Sequence, residues 1–86
     1  MTPKAYISAT DDALLASIGQ RLRTLRQAAG LTQDQAAARA GLARSTVSEA
    51  ENGENPTLHT LVRLLRVYGS LSALEGLVTE PGAGPS

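Results

Sequence analysis

The stretch GLTQDQAAARAGLARSTVSEAENG, residues 30–53, holds two short helices and the turn that joins them. Thr32-Gln33-Asp34-Gln35 matches a capping box: Thr32 at the N-cap accepts from the Gln35 amide, and the Gln35 side chain reaches back to Thr32. Ala36, Ala37 and Ala40 then recur at helical spacing and give this helix a small inner face, before Gly41 ends it. Only Gly41-Leu42-Ala43 separate it from the next helix, which runs to about Glu51 and is closed by Asn52-Gly53. That following helix is two-faced. Val47, Ala50 and Glu51 share one side, at i, i+3 and i+4, while Arg44, Ser45, Ser48 and Glu49 share the other.

Working outward, turn residues divide the rest of the chain into three more helices. The first runs from about Asp11 to Ala29, with Thr10 or Asp11 as its N-cap, acids in its first turn and Gly30 as its stop. Its expected buried stripe is Leu14, Ile18, Leu22 and Leu25. A fourth helix begins after Thr57, behind the breaker Asn55-Pro56, with Leu58, Leu61, Leu64, Leu65 and Tyr68 as its apolar face and Gly69 as its end. Ser70 opens a short fifth helix that carries Leu71, Leu74, Leu77 and Val78 along one side. Residues 1–9 and 79–86 lack periodicity and are expected to be a flexible N-terminal segment and a disordered tail around one domain spanning residues 10–78.

Composition agrees with an all-α reading. Fourteen Ala and thirteen Leu face only four Val and two Ile, and Phe and Trp are absent, so the core is aliphatic and helical. With no cysteine, there is neither a disulfide framework nor a thiolate metal site. No apolar run reaches the roughly 20 residues of a membrane span, and no secretory h-region is visible, which makes the cytoplasm the expected compartment. His59 is the only histidine and Lys4 the only lysine; no nucleophile–base pair or ligand cluster forms. No catalytic residue, metal or cofactor is therefore expected. Asp11 and Asp12, adjacent and so pointing about 100° apart, serve the helix dipole rather than a paired-carboxylate site.

Two short helices joined by a three-residue turn containing Gly form a helix-turn-helix, which offers the outer face of its second helix to a DNA major groove. Taken alone, the net charge of zero opposes that reading. Net charge hides distribution, however. Between Ile18 and Ser48 five arginines (21, 23, 26, 39 and 44) face one acid, Asp34, a local balance of +4.

The sequence also resembles the lambda-repressor-like, or XRE-type, helix-turn-helix family over about residues 14–78. The resemblance is carried by Leu31-Thr32-Gln33, Ala37 and Gly41, Ser45-Thr46-Val47-Ser48, Glu51-Asn52-Gly53 and Asn55-Pro56-Thr57-Leu58. It implies a five-helix domain that binds a palindromic double-stranded DNA operator as a homodimer, and a transcriptional regulator expected to act as a repressor. Gln33 matches the family's phosphate-clamping position, Arg44, Ser45, Ser48 and Glu49 its base-reading positions, and Thr46 a backbone-contact position. Asn52 is a further backbone-contact candidate. Arg26 and Glu51 match a buried ion pair that ties the first helix to the third. Leu71, Leu74, Leu77 and Val78 are the expected dimer interface.

Three positions depart from the family pattern. Ala43 replaces a Ser or Thr N-cap, Ala50 replaces a larger apolar residue and implies a thin core, and Glu54 stands where a basic residue often meets phosphate. The ending Tyr-Gly-Ser-Leu-Ser-Ala-Leu-Glu-Gly-Leu-Val, residues 68–78, also resembles antitoxins paired with HipA-like kinase toxins. The alternative is therefore an antitoxin of a toxin–antitoxin module that binds a HipA-like toxin kinase and autoregulates its own operon.

Overall fold

The computed structural model describes residues 8–79. The expectations for the two ends of the chain fall mostly outside that range. Five α-helices follow in order: α1 (Asp11–Ala28), α2 (Gln33–Ala40), α3 (Arg44–Glu51), α4 (Leu58–Val67) and α5 (Glu75–Val78), with a 3₁₀ turn at Leu71–Leu74 before α5. Among the described residues there is no strand.

Local chemistry sets the boundaries. Thr10 caps α1 by accepting from the Ala13 amide at 3.1 Å. Thr32 and Gln35 form the reciprocal capping box of α2, at 3.1 and 2.9 Å. Thr57 caps α4 by accepting from the Thr60 amide at 3.1 Å. The N-cap of α3, Ala43, supplies no side-chain bond, so that helix starts without a side-chain acceptor. At the turn, Gly41 takes the left-handed conformation, φ 68°, which a side chain would resist. The side chain of Arg63 on α4 secures this turn by donating from Nη1 to the Ala40 carbonyl at 3.0 Å. That bond satisfies one of the carbonyls left open at the end of α2.

The core is built from Leu22, Ala37, Ala40, Val47, Ala50, Leu64 and Leu65, with Leu25, Leu42, Leu61 and Leu74 packed around it. Three members of the expected α1 and α4 stripes are not in it: Leu14, Ile18 and Leu58. Ile18 on α1 is 40% exposed and Leu58 on α4 is 78% exposed. On α1 the inward line passes through Gly19 and Leu22 instead, one residue round from Ile18. Gly19 lies directly against the end of α3: a Cβ there would sit 2.5 Å from the Glu51 carbonyl oxygen and 2.7 Å from that of Ala50. Ala50 is fully buried, so the expected thin core is corrected: two small residues let the backbones of α1 and α3 approach rather than leaving a void. On α4 the buried position in the first turn belongs to Thr60, because Leu58 begins the helix on its outer side.

The C-terminal part also differs from the single helix expected after Ser70. The Leu71–Leu74 segment is wound as 3₁₀, which rotates the following α5 relative to a continuous helix. The four apolar residues therefore part company. Leu74 packs on the core, while Leu77 and Val78 stay mostly exposed and Leu71 sits at the edge of exposure.

Candidate nucleic-acid interface

The site is organised by one buried carboxylate. Glu51, at the C-terminal end of α3, has no exposed side-chain surface. Arg26 from α1 grips it in a fork, Nε to Oε2 at 2.6 Å and Nη2 to Oε1 at 3.2 Å, and uses Nη1 to hold the Leu31 carbonyl at 2.9 Å. The planar guanidinium suits this bidentate geometry. Gln33 donates its side-chain amide to Oε1 at 3.1 Å, and Arg23 approaches the same oxygen at 3.5 Å. Burial pushes the Glu51 carboxyl upward. Hydrogen bonds from Arg26, Gln33 and Arg23 and the Arg26 charge outweigh it and hold the group below the usual carboxylate range. The bond to Glu51 in turn holds the Arg26 guanidinium above its ordinary value, against the opposing effect of burial. Tyr68 stands close enough to feel both charges. Its hydroxyl is buried with no hydrogen-bond partner among the described residues, and burial followed by the Glu51 charge pushes it up to about 12.

Around this hub lie the residues expected to meet DNA. Gln33, Arg44, Ser45 and Ser48 line one shallow open depression between the start of α2 and the outer face of α3. Ser45 and Glu49 are exposed, Thr46 and Ser48 half-buried, and Asn52 is exposed at the C-cap of α3. Gln33 has one amide hydrogen committed to Glu51; its second hydrogen and its carbonyl oxygen remain for a ligand. Arg44 reaches only Asp34, at 3.6 Å, and both side chains are largely exposed. Such a pair contributes about 0–1 kcal/mol, so it leaves the guanidinium free to exchange partners.

The five arginines that form one basic run in the sequence are divided in space. Arg26 is consumed in the hub, and Arg23 shares Glu51 while remaining 46% exposed. Arg21, two residues from Arg23 and so across the helix, lines an apolar groove with Leu25, Leu61 and Leu74. Arg39 lines a separate hollow with Arg63 and Arg66. Of the five, only Arg44 lines the depression at α3, and Asp34 faces it, so the depression is close to neutral. Arg23 is the residue the sequence reading passed over. Its i, i+3 spacing from Arg26 puts both arginines on the side of α1 that meets Glu51. Among the described residues, no group of three or more His, Cys, Asp or Glu could hold a metal, and no helix is long and apolar enough to cross a membrane.

Comparison with known proteins adds the lineage. A family model described as a helix-turn-helix domain matches residues 17–75. The HTH-type transcriptional regulator PuuR of Escherichia coli (strain K12) is 44% identical over 52 residues, 59% of this chain and 28% of the regulator. The PuuR protein of Shigella flexneri matches to the same extent. The aligned stretch thus spans little more than a quarter of these curated relatives. With the capped α2, the Gly41 turn, the two-faced α3 and a family match that covers most of the chain, this protein belongs to the helix-turn-helix domain family and is a DNA-binding protein of the lambda-repressor-like, XRE type.

Proposed function

We propose that the chain is a transcriptional regulator, a homodimer that represses by occupying a roughly palindromic operator in the cytoplasm. One observation carries this reading. Gln33 and the outer residues Arg44, Ser45 and Ser48 of α3 share one open depression, while the inner end of the same helix is locked by Glu51. A rigid helix presenting short polar side chains and one Arg suits base-edge recognition. Arg44 can donate twice to a guanine, O6 and N7, and Glu49 can accept from a cytosine amino group. Gln33 and the amides at the start of α2 suit a phosphate oxygen, with Thr46, Asn52 and Arg23 as further backbone contacts.

Dimerisation is supported by exposed apolar surface. Leu77 and Val78 are 81% and 71% exposed, a costly display for a small domain unless a second copy covers it. Two copies would read half-sites about 34–36 Å apart. The same exposed residues would equally suit a kinase toxin, with the chain as an antitoxin that also represses its own operon; co-purification of a kinase encoded beside it supports that reading, and its absence sinks it.

Selection of bound duplexes from a random pool at low salt tests the function. Enrichment of an inverted repeat is the expected result; a pool that stays random would overturn it. Because the reading face is nearly neutral, binding to unselected duplex should be weak and its fall with salt shallower than for a strongly basic binder.

A further inference from the structure

The hollow between α2 and α4 is separate from the recognition face, and its chemistry points to a second ligand. On α4, His59, Arg63 and Arg66 follow at i, i+4 and i+7, a single outward stripe, and Arg39 of α2 joins them at its edge. Arg63 is oriented by two bonds, Nη1 to the Ala40 carbonyl and Nε to His59 Nε2, both at 3.0 Å. The side chains of Arg39 and Arg66 make no hydrogen bond or ion pair among the described residues, and no carboxylate pairs with any of the three arginines. Three of the seven arginines of this chain therefore converge on a surface lined, among the described residues, by no acid. The floor of the hollow is apolar, made by Val62 and Val67.

We infer that this surface docks an acidic segment of another protein, one that carries an apolar side chain among its carboxylates. Two observations favour a protein segment over nucleic acid. The valine floor gives an aliphatic side chain a place to bury, whereas a sugar-phosphate backbone has none to offer. Position also separates the surface from the reading face. Asp34, which meets Arg44 of α3, and Arg39 are five residues apart on α2, hence about 140° apart around it. A partner seated on Arg39, Arg63 and Arg66 thus approaches from the flank of α2 opposite the recognition helix. The fixed Arg63 guanidinium supplies direction, and the two free arginines supply attraction and on-rate.

The test uses the full chain, isotopically labelled, titrated at low salt with a synthetic peptide of alternating Glu, Asp and Leu. Amide shifts should concentrate on Arg39 and on His59 to Val67. The double variant R39Q/R66Q, which removes no bond seen in the structure and so should melt like wild type, should bind the peptide about fivefold more weakly, the loss of two exposed ion pairs. A random-sequence duplex should instead shift the amides of α3 and of Gln33. The inference is overturned if the peptide fails to bind, if it shifts α3 rather than α4, if R39Q/R66Q binds it as wild type does, or if the duplex claims the Arg39–Arg66 surface.

Discussion

At its C-terminal end α3 places Glu51 beneath Arg26, Gln33 and Arg23 with no side-chain exposure, whereas at its N-terminal end Ala43 offers no cap and Arg44 meets only an exposed Asp34 at 3.6 Å. One end is bound to α1 and α2 through a charge that cannot be left unpaired; the polar side chain at the other makes one exposed ion pair. The contrast separates two tasks that one eight-residue helix has to perform. Its inner end fixes orientation, and its outer end keeps side chains free to change partners when a base edge arrives. Gln33 links the two, since its amide rests on Glu51 while its remaining polar atoms border the depression with Arg44.

The largest effect is expected at the bound end. Glu51→Gln strands the Arg26 guanidinium in a buried position and should cost about 3–5 kcal/mol, read as a loss of denaturant midpoint. The pH dependence follows in sign. Glu51 titrates below its ordinary value when folded, so the unfolded chain binds more protons as the solution becomes acidic. Its contribution is complete above the usual carboxylate range and is lost as pH falls toward the folded value. Stability of the Gln variant should change less over that acidic window; an unchanged profile would remove the hub from the account.

A smaller loss is expected where α1 meets the same end of α3. Gly19→Ala would favour helix by about 1 kcal/mol, but the added methyl meets the Ala50 and Glu51 carbonyl oxygens at under 3 Å. Displacing that backbone should leave a net loss of about 1–3 kcal/mol by thermal melting. A stabilised variant would show that α1 and α3 are not in close contact.

At the free end the sign reverses. Ala43→Ser supplies the missing acceptor for the first amides of α3 and should raise stability by about 1 kcal/mol. If the melting temperature does not rise, backbone geometry at that end already satisfies the helix.

The same contrast marks what the sequence makes legible. The caps of α1, α2 and α4 are local devices, a Thr and the amide three residues on, and reading them places the starts of α2 and α4 to the residue and that of α1 to within one. The pairing of Arg26 with Glu51 spans 25 residues, and it is the family resemblance, not periodicity, that carries it. Burial along α1 turns on which side of the helix meets α3, so Ile18 stands exposed and Gly19 does not; the Gly inside an otherwise unbroken helix was the available signal. Leu58 misleads in the same way, apolar yet on the outer side of the first turn of α4. The 3₁₀ winding of Leu71–Leu74 leaves no trace in the spacing of the leucines, and so the expected stripe divides in space. The basic run from Arg21 to Arg44 is continuous along the chain, but the helices carry its members to opposite flanks, leaving the reading face nearly neutral.

The central claim is that the loosely held end of α3 reads DNA while the locked end only positions it. Comparing wild type with Arg44→Ala tests this directly, by measuring affinity for the duplex that wild type selects and for a random duplex, alongside thermal stability. The account predicts a loss of about 1–3 kcal/mol on the selected duplex, a much smaller loss on the random one, and a melting temperature close to wild type. Unchanged affinity for the selected duplex, or an equal loss on both, would contradict it.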